Sequence, residues 1–252
     1  MKKSRLSQIY GCTRAAWHLG WSKSLQYFFS PSGSHVKITI DGVQIFVRKG
    51  TPDLEVALSC LTGEFDILSM LMPEDFDGMI IDAGGYIGTA TLAMKKIWPS
   101  AEILIVEPSS QNIEILRKNI SSLTNVKVVH GALVGEQRKE VPLLNRGTGE
   151  WGFTVVTKPN DAKVIEQIAN VKAYTISDLV TDFSKLGLLK LDIEGGELDL
   201  LRYDNENLRL IPIVFAELHD HISPGCVEQF LDYSKPRILI KDKGEKYLSI
   251  RR

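Results

Sequence analysis

The sequence predicts an α/β fold built on a mostly parallel sheet, and three observations carry that prediction. From Met79 onward, short apolar runs alternate with segments of helical spacing. The first run, Ile80-Ile81-Asp82, passes through Ala83-Gly84-Gly85-Tyr86-Ile87-Gly88, a glycine loop that opens a helix. Further apolar runs end in acids at Glu107, Asp192 and Glu217. Strands this apolar need helices on both faces, which is the arrangement of a buried parallel sheet.

Composition sets the outer bounds. A chain of 252 residues is long enough for one large domain with extensions. Its 30 Lys+Arg and 31 Asp+Glu nearly cancel, so no global attraction to nucleic acid or an anionic membrane is expected. No apolar run approaches a membrane span. Cys12, Cys60 and Cys226 are scattered, odd in number and without metal-ligand spacing, and read as reduced thiols of a cytoplasmic protein. Lys2, Lys3 and Arg5 open the chain, but no continuous apolar stretch or cleavage site comes after them, so a signal peptide is not expected.

The elements divide into three parts. Residues 1–32 form an N-terminal helical segment, in which Trp17, Leu19, Trp21, Leu25, Phe28 and Phe29 lie among polar and basic residues from Ile9 to Phe29. An amphipathic helix packed on its own domain is favoured over a membrane-surface helix. Residues 33–77 are expected to form a β-hairpin and helix extension. In it, Val36–Ile40 and Val43–Val47 flank Asp41-Gly42, a hairpin signal, and Thr51-Pro52-Asp53 starts a helix toward Leu61.

Residues 78–252 form the main domain. Strands are expected at Met79–Asp82, Ile103–Glu107, Val126–Val129, Leu188–Asp192 and Ile213–Leu218, with helices at Thr89–Ile97, about Gln111–Ile120 and Glu197–Tyr203. Val134–Asn170 breaks the rhythm with a glycine-rich loop from Asn145 to Gly152, before a short strand at Val171–Thr175 and a helix opening at Ser177-Asp178. Arg237–Ile240 and Tyr247–Ile250 close the chain as an antiparallel hairpin.

The chemistry gathers at strand ends. Glu107, about 20 residues beyond the glycine loop, is placed to accept hydrogen bonds from ribose hydroxyls. A dinucleotide fingerprint needs G-x-G-x-x-G, and Tyr86 stands where its second glycine belongs. The loop spelling, with Asp82 on the strand end, therefore favours S-adenosylmethionine over a nicotinamide. Leu189–Glu197 repeats the theme, and with the fifth strand it delivers Asp192, Glu194, Glu217 and His219 to the same sheet edge. These side chains suit a general base, or equally the ligands of a divalent cation, with the metal-free reading preferred.

Taken together, these segments resemble the FkbM-type family of S-adenosylmethionine-dependent methyltransferases. The likeness rests on Ile81–Gly88, Glu107-Pro108, His130–Leu133, Lys190–Glu197 and Glu217-Leu218-His219. Tyr86 departs from it, since the family commonly has Asn there, and so does Ile176-Ser177-Asp178, where Leu-Asp is favoured. The resemblance implies a Rossmann-like class I methyltransferase fold with an antiparallel C-terminal hairpin and an N-terminal helix and β-hairpin extension. It implies that Asp82, Gly84, Gly85, Tyr86 and Gly88 serve the methionine end of the cofactor, Glu107 its ribose, and Gly131-Ala132 its adenine. Arg48–Asp53 with Glu64-Phe65 looks like the family segment that folds over the cofactor, which places Glu64 there too.

For activity, the resemblance implies O-methylation of a hydroxyl on a sugar, glycan or small natural product. Asp192 or His219 is the expected base and Glu194 the group orienting the acceptor, with no metal. Trp151 and Phe153 are placed either to stack on an apolar or sugar acceptor or to pin their own loop. No nucleic-acid partner is expected, and a homo-oligomer is left open. The competing readings are a nicotinamide-dependent oxidoreductase and a non-catalytic module that binds a partner through Trp17, Trp21 and the Trp151 loop.

Overall fold

The computed structural model describes residues 19–162 and 165–252. The expectations placed on Lys2, Lys3, Arg5, Ile9, Cys12 and Trp17, and on the Trp21 side chain, lie outside what is described. A first helix, α1 (Trp21–Phe29), precedes the hairpin of β1 (His35–Ile40) and β2 (Val43–Arg48). The helix docks differently from its expected apolar face. Ser24 and Tyr27 are buried, whereas Leu25, Phe28 and Phe29 are exposed, because the helix meets the hairpin along its 24/27 edge. Lys49 Nζ lies 4.3 Å from the Tyr27 ring centre and closes that contact.

The hairpin turns where expected, with Ile40 opposite Val43. Asp41 and Gly42 both take positive φ, 47° and 81°, the geometry that matches a two-residue turn to strand twist. Helix α2 (Asp53–Ser59) follows and runs into a wide turn at Cys60–Glu64. Thr51 Oγ1 accepts from Asp53 N at 3.3 Å just ahead of the helix, whose N-cap is Pro52.

The main sheet contains β3 (Met79–Ala83), β4 (Glu102–Glu107), β5 (Val126–His130), β9 (Leu186–Leu191), β10 (Ile213–Glu217), β11 (Ile238–Lys241) and β12 (Lys246–Ile250). Its order is β11-β12-β10-β9-β3-β4-β5. The β3–β4, β4–β5, β3–β9 and β9–β10 pairs are parallel, and β12 is antiparallel to both β10 and β11. Only β12 therefore runs against the rest. Connections proceed one way from β3 and the other way from β9, so the strand order reverses between these two, where the carboxyl ends open a crevice.

Helices α3 (Thr89–Ile97) and α4 (Ser110–Asn119) lie on the face that also carries the hairpin. One continuous apolar core joins Val36, Ile38 and Ile45 to Ile80, Ile105 and Leu188. Sandwiched in this way, α3 is buried from Thr89 to Lys95, and Lys95 spends its charge on the Pro99 and Ala101 carbonyls at 2.6 and 2.8 Å. Asn119 ties the layers together, exchanging hydrogen bonds with the Phe46 backbone and donating to Ile87 O at 2.8 Å.

The expectation for Val134–Asn170 needs correction. A second sheet of order β6-β8-β7 stands there, made of β6 (Ala132–Leu133), β7 (Glu140–Asn145) and β8 (Glu166–Tyr174). Pro142 on β7 hides the strand signal, and it is tolerated because β7 is an edge. Most of β8 is exposed, so it lacks the apolar alternation that marks a half-buried strand. A short helix, α5 (Ile176–Leu179), follows with Thr175 and Asp178 forming a capping box. On the opposite face, α6 (Glu197–Tyr203), α7 (Asn205–Leu210) and α8 (Cys226–Tyr233) cover a second core around Leu189, Val214 and Phe230. Cys60 and Cys226 are both free and buried. No helix among the described residues is long and apolar enough to cross a membrane.

Candidate active site

A cavity of about 560 Å³ opens at the carboxyl ends of β3 and β9, within the usual range for a small-molecule site. The loop after β3 forms one wall. Gly84 takes φ 80°, and both Gly84 and Gly85 donate to Val106 O, at 3.0 and 3.2 Å. A Cβ on Gly84 would collide with the Asp192 carbonyl, and one on Gly85 with Ile105. These glycines are therefore demanded by the protein's own packing as well as by the turn.

Tyr86 follows in the left-handed region at φ 48°. Asn adopts that region readily and a bulky side chain does not. Here the ring is held in place. Its hydroxyl donates to the buried Asp53, and the Arg48 guanidinium lies 5.3 Å from the ring centre. Arg48 in turn binds Asp53 through Nε at 2.9 Å and Nη2 at 3.0 Å. The hairpin and α2 thus grip the loop that shapes the cavity.

Glu107 ends β4 and is buried at the cavity wall. Its Oε2 accepts from Tyr86 N at 2.8 Å, and its Oε1 from Ser109 N at 2.9 Å and Asn112 Nδ2 at 3.1 Å. Burial pushes the carboxyl up to about 7, with those donors opposing the rise. Asn112 shares this wall. Its Oδ1 is buried with no hydrogen-bond partner among the described residues. Gly131, Ala132 and Leu133 complete this side.

The opposite wall is charged. Lys190 on β9 is buried and donates to Gly84 O at 2.8 Å, with Nζ 3.3 Å from Asp82 Oδ1 and 3.4 Å from Asp192 Oδ2. Burial disfavours its charge, but Asp192 and Asp82 outweigh that and hold the ammonium above its ordinary range. Burial alone would raise the Asp192 carboxyl, yet Lys190 and then His219 bring it below the usual value. Burial pushes Glu194 upward, with Asp192 adding to the rise while His219 and Arg146 oppose it.

His219 is fixed by Glu197, whose Oε1 lies 3.0 Å from Nδ1. Its Nε2 faces Asp192 Oδ1 and Glu194 Oε1, each at 3.7 Å. Burial lowers the tendency of the ring to charge, but Glu197 first, and then Asp192 and Glu194, raise it to about 10. Glu194 sits at φ 53° and accepts from Arg146 Nη2 at 2.6 Å. Lys246 on β12 reaches Glu64 at 2.9 Å and stands 3.9 Å from Glu217, so the C-terminal hairpin closes the far rim.

A family model described as the methyltransferase FkbM domain matches residues 82–244. The chain belongs to the FkbM methyltransferase family. It is 32% identical over 188 residues to Methyltransferase 1 of Beauveria bassiana, spanning 67% of this chain and 72% of that protein. It is 24% identical over 186 residues to the hexuronic acid methyltransferase AglP of Haloferax volcanii, spanning 69% and 70%. The crystal structure of an FkbM methyltransferase from Methylobacillus flagellatus aligns with a TM-score of 0.48 and 14% identity, covering 98% of this chain and 59% of that one.

Of the residues singled out in this FkbM-family sequence, Gly84, Gly85, Tyr86, Glu107, Gly131, Ala132, Glu64, Asp192, Glu194, Glu217 and His219 all line the cavity. Two stand behind it. Asp82 is fully buried under the loop, where it accepts from Thr91 Oγ1 at 2.7 Å and faces Lys190. Gly88 begins α3 at φ 86° and packs toward Ile120. Sequence reasoning missed Asn112, Arg146 and Lys246. Asn112 stands in the first turn after the Ser109 cap, and that spacing is the local signal that marks it.

Proposed function

We infer that this FkbM-family protein transfers a methyl group from S-adenosylmethionine to a hydroxyl of a sugar, glycan or small natural product. The observation that carries this reading is the two-sided cavity, with acceptors for an adenosine on one wall and an acid–imidazole cluster on the other. Glu107, at the cavity wall, suits the hydroxyl donors of an adenosine. The cofactor would supply a methyl group activated on a sulfonium. The chain's own task is positioning, since in-line transfer depends on aligned reactants.

Asp192, held ionised by Lys190, is the residue to take the acceptor proton. His219 is poorly suited as the base, because the carboxylates around it favour its protonated ring. Trp151, 43% exposed at the cavity rim, and Phe153 offer the apolar face on which a sugar ring stacks. The hexuronic acid named for the Haloferax relative lends support to a sugar acceptor.

Calorimetry with S-adenosylmethionine and NAD in separate titrations tests the cofactor, and transfer of labelled methyl to a panel of glycosides and phenols tests the acceptor. Binding of S-adenosylmethionine alone, with label appearing in a glycoside, is the expected result. Binding of NAD alone would overturn the reading.

A further inference from the structure

Three side chains at the acid wall share one arrangement. Asp192 has Oδ2 near Lys190 at 3.4 Å, Glu194 has Oε2 bound by Arg146 at 2.6 Å, and His219 has Nδ1 bound to Glu197 at 3.0 Å. In each case a residue outside the trio occupies one polar atom and leaves the other facing the same point. One ligand atom from each lies within 4.8 Å of the other two, and His219 Nε2 is 3.7 Å from both carboxylates. At that distance Nε2 makes no hydrogen bond, although His219 is only 4% exposed. The Nε2 atom of this buried ring thus lines the cavity between two carboxylate oxygens, within ion-pair range of both but beyond hydrogen-bond distance.

We propose that Asp192, Glu194 and His219 bind a divalent cation of the magnesium–manganese class at the acceptor end of the cavity. Two carboxylate oxygens and one imidazole form a hard, mixed donor set, and no thiolate among the described residues joins it. The outer residues match what metal sites require around their ligands. Glu197 fixes the tautomer and plane of His219, while Arg146 and Lys190 orient the two carboxylates. Only one face of the trio is committed to protein, so the cavity side is free for water or an acceptor oxygen. A cation there would hold and polarise the acceptor oxygen, with Asp192 serving as its ligand in place of the proton-accepting role it has in the metal-free site. The site concerns the same cavity as the methyl-transfer reading but does not depend on which acceptor is used.

The test is a titration of the metal-stripped protein with manganese(II), followed by the paramagnetic resonance signal of the free ion. One bound manganese per chain is expected, displaced by excess magnesium. The variant D192N is nearly isosteric and changes a partly exposed side chain, so it keeps the fold, as a thermal melt would verify. It should lose the bound ion, as should H219Q. Absence of binding in the native chain, or equal binding in D192N, would overturn the proposal. S-adenosylmethionine binding, measured by calorimetry on the same stripped sample, separates failure of the cation site from failure of the cofactor reading.

Discussion

Arg146 Nη2 lies 2.6 Å from Glu194 Oε2, and both side chains are buried, at 1% and 10% exposure. This pair joins the small second sheet to the end of β9. Arg146 also donates to Gly152 O at 3.2 Å and pairs with Asp161, while Thr154 Oγ1 donates to Glu194 O at 2.6 Å. The loop that carries Trp151 is thereby anchored on the same residue that faces His219.

Replacing Arg146 by Ala would leave the Glu194 carboxylate buried without its partner. Breaking a buried pair in this way costs about 3–5 kcal/mol. Chemical denaturation should show a loss of that order, with R146K recovering part of it. A loss below about 1 kcal/mol would mean that the pair is solvated in solution.

Tyr86 is strained in backbone and secured in side chain, so its hydroxyl is expected to matter for stability. Y86F removes the bond to Asp53 but leaves the backbone N–H on Glu107 untouched. Denaturant unfolding should fall by about 1–3 kcal/mol, while cofactor affinity stays close to native. A large loss of affinity with unchanged stability would contradict this division of roles.

Two glycines of similar φ separate backbone strain from collision. Gly42, at φ 81°, has open space where a Cβ would go, so G42A should cost about 1–2 kcal/mol from the left-handed conformation alone. At Gly84, φ 80°, the added methyl also meets the Asp192 carbonyl, and G84A should cost several kcal/mol or prevent folding. Equal melting points for the two variants would refute the packing account.

Cofactor binding should depend on pH through Glu107. Ribose hydroxyls donate to the carboxylate, so binding favours the ionised form. The group titrates at about 7 in the free protein. Affinity should therefore be full above that pH and fall as pH drops through it, and E107Q should bind weakly with little pH dependence. The stability sign is the reverse. A carboxyl raised above its unfolded value of about 4.5 costs the fold stability as pH rises from about 4.5 to 7. Calorimetry across this range checks the first claim and thermal melts the second.

Much of this molecule is written locally. The Asp41-Gly42 hairpin, the β3 loop and the helices at Thr89 and Glu197 fall where residue spacing puts them, because turn chemistry and the periods of strand and helix act over a few neighbours. The same holds for strand-end acids, since a strand that ends at Glu107 or near Asp192 must present that residue at the sheet edge. Apart from the strand expected at Val171–Thr175, the second sheet escaped notice because Pro142 and the exposed start of β8 carry no regular pattern.

Chain order alone was enough to name the parallel strands, the glycine turn and the acids of the site. Folding in three dimensions decided that Asp53 secures Tyr86, that Arg146 meets Glu194, and that Asp82 lies beneath the cavity while Asn112 faces into it. Such pairings join segments far apart along the chain. They depend on strand order, register and close packing, and no short-range period encodes those.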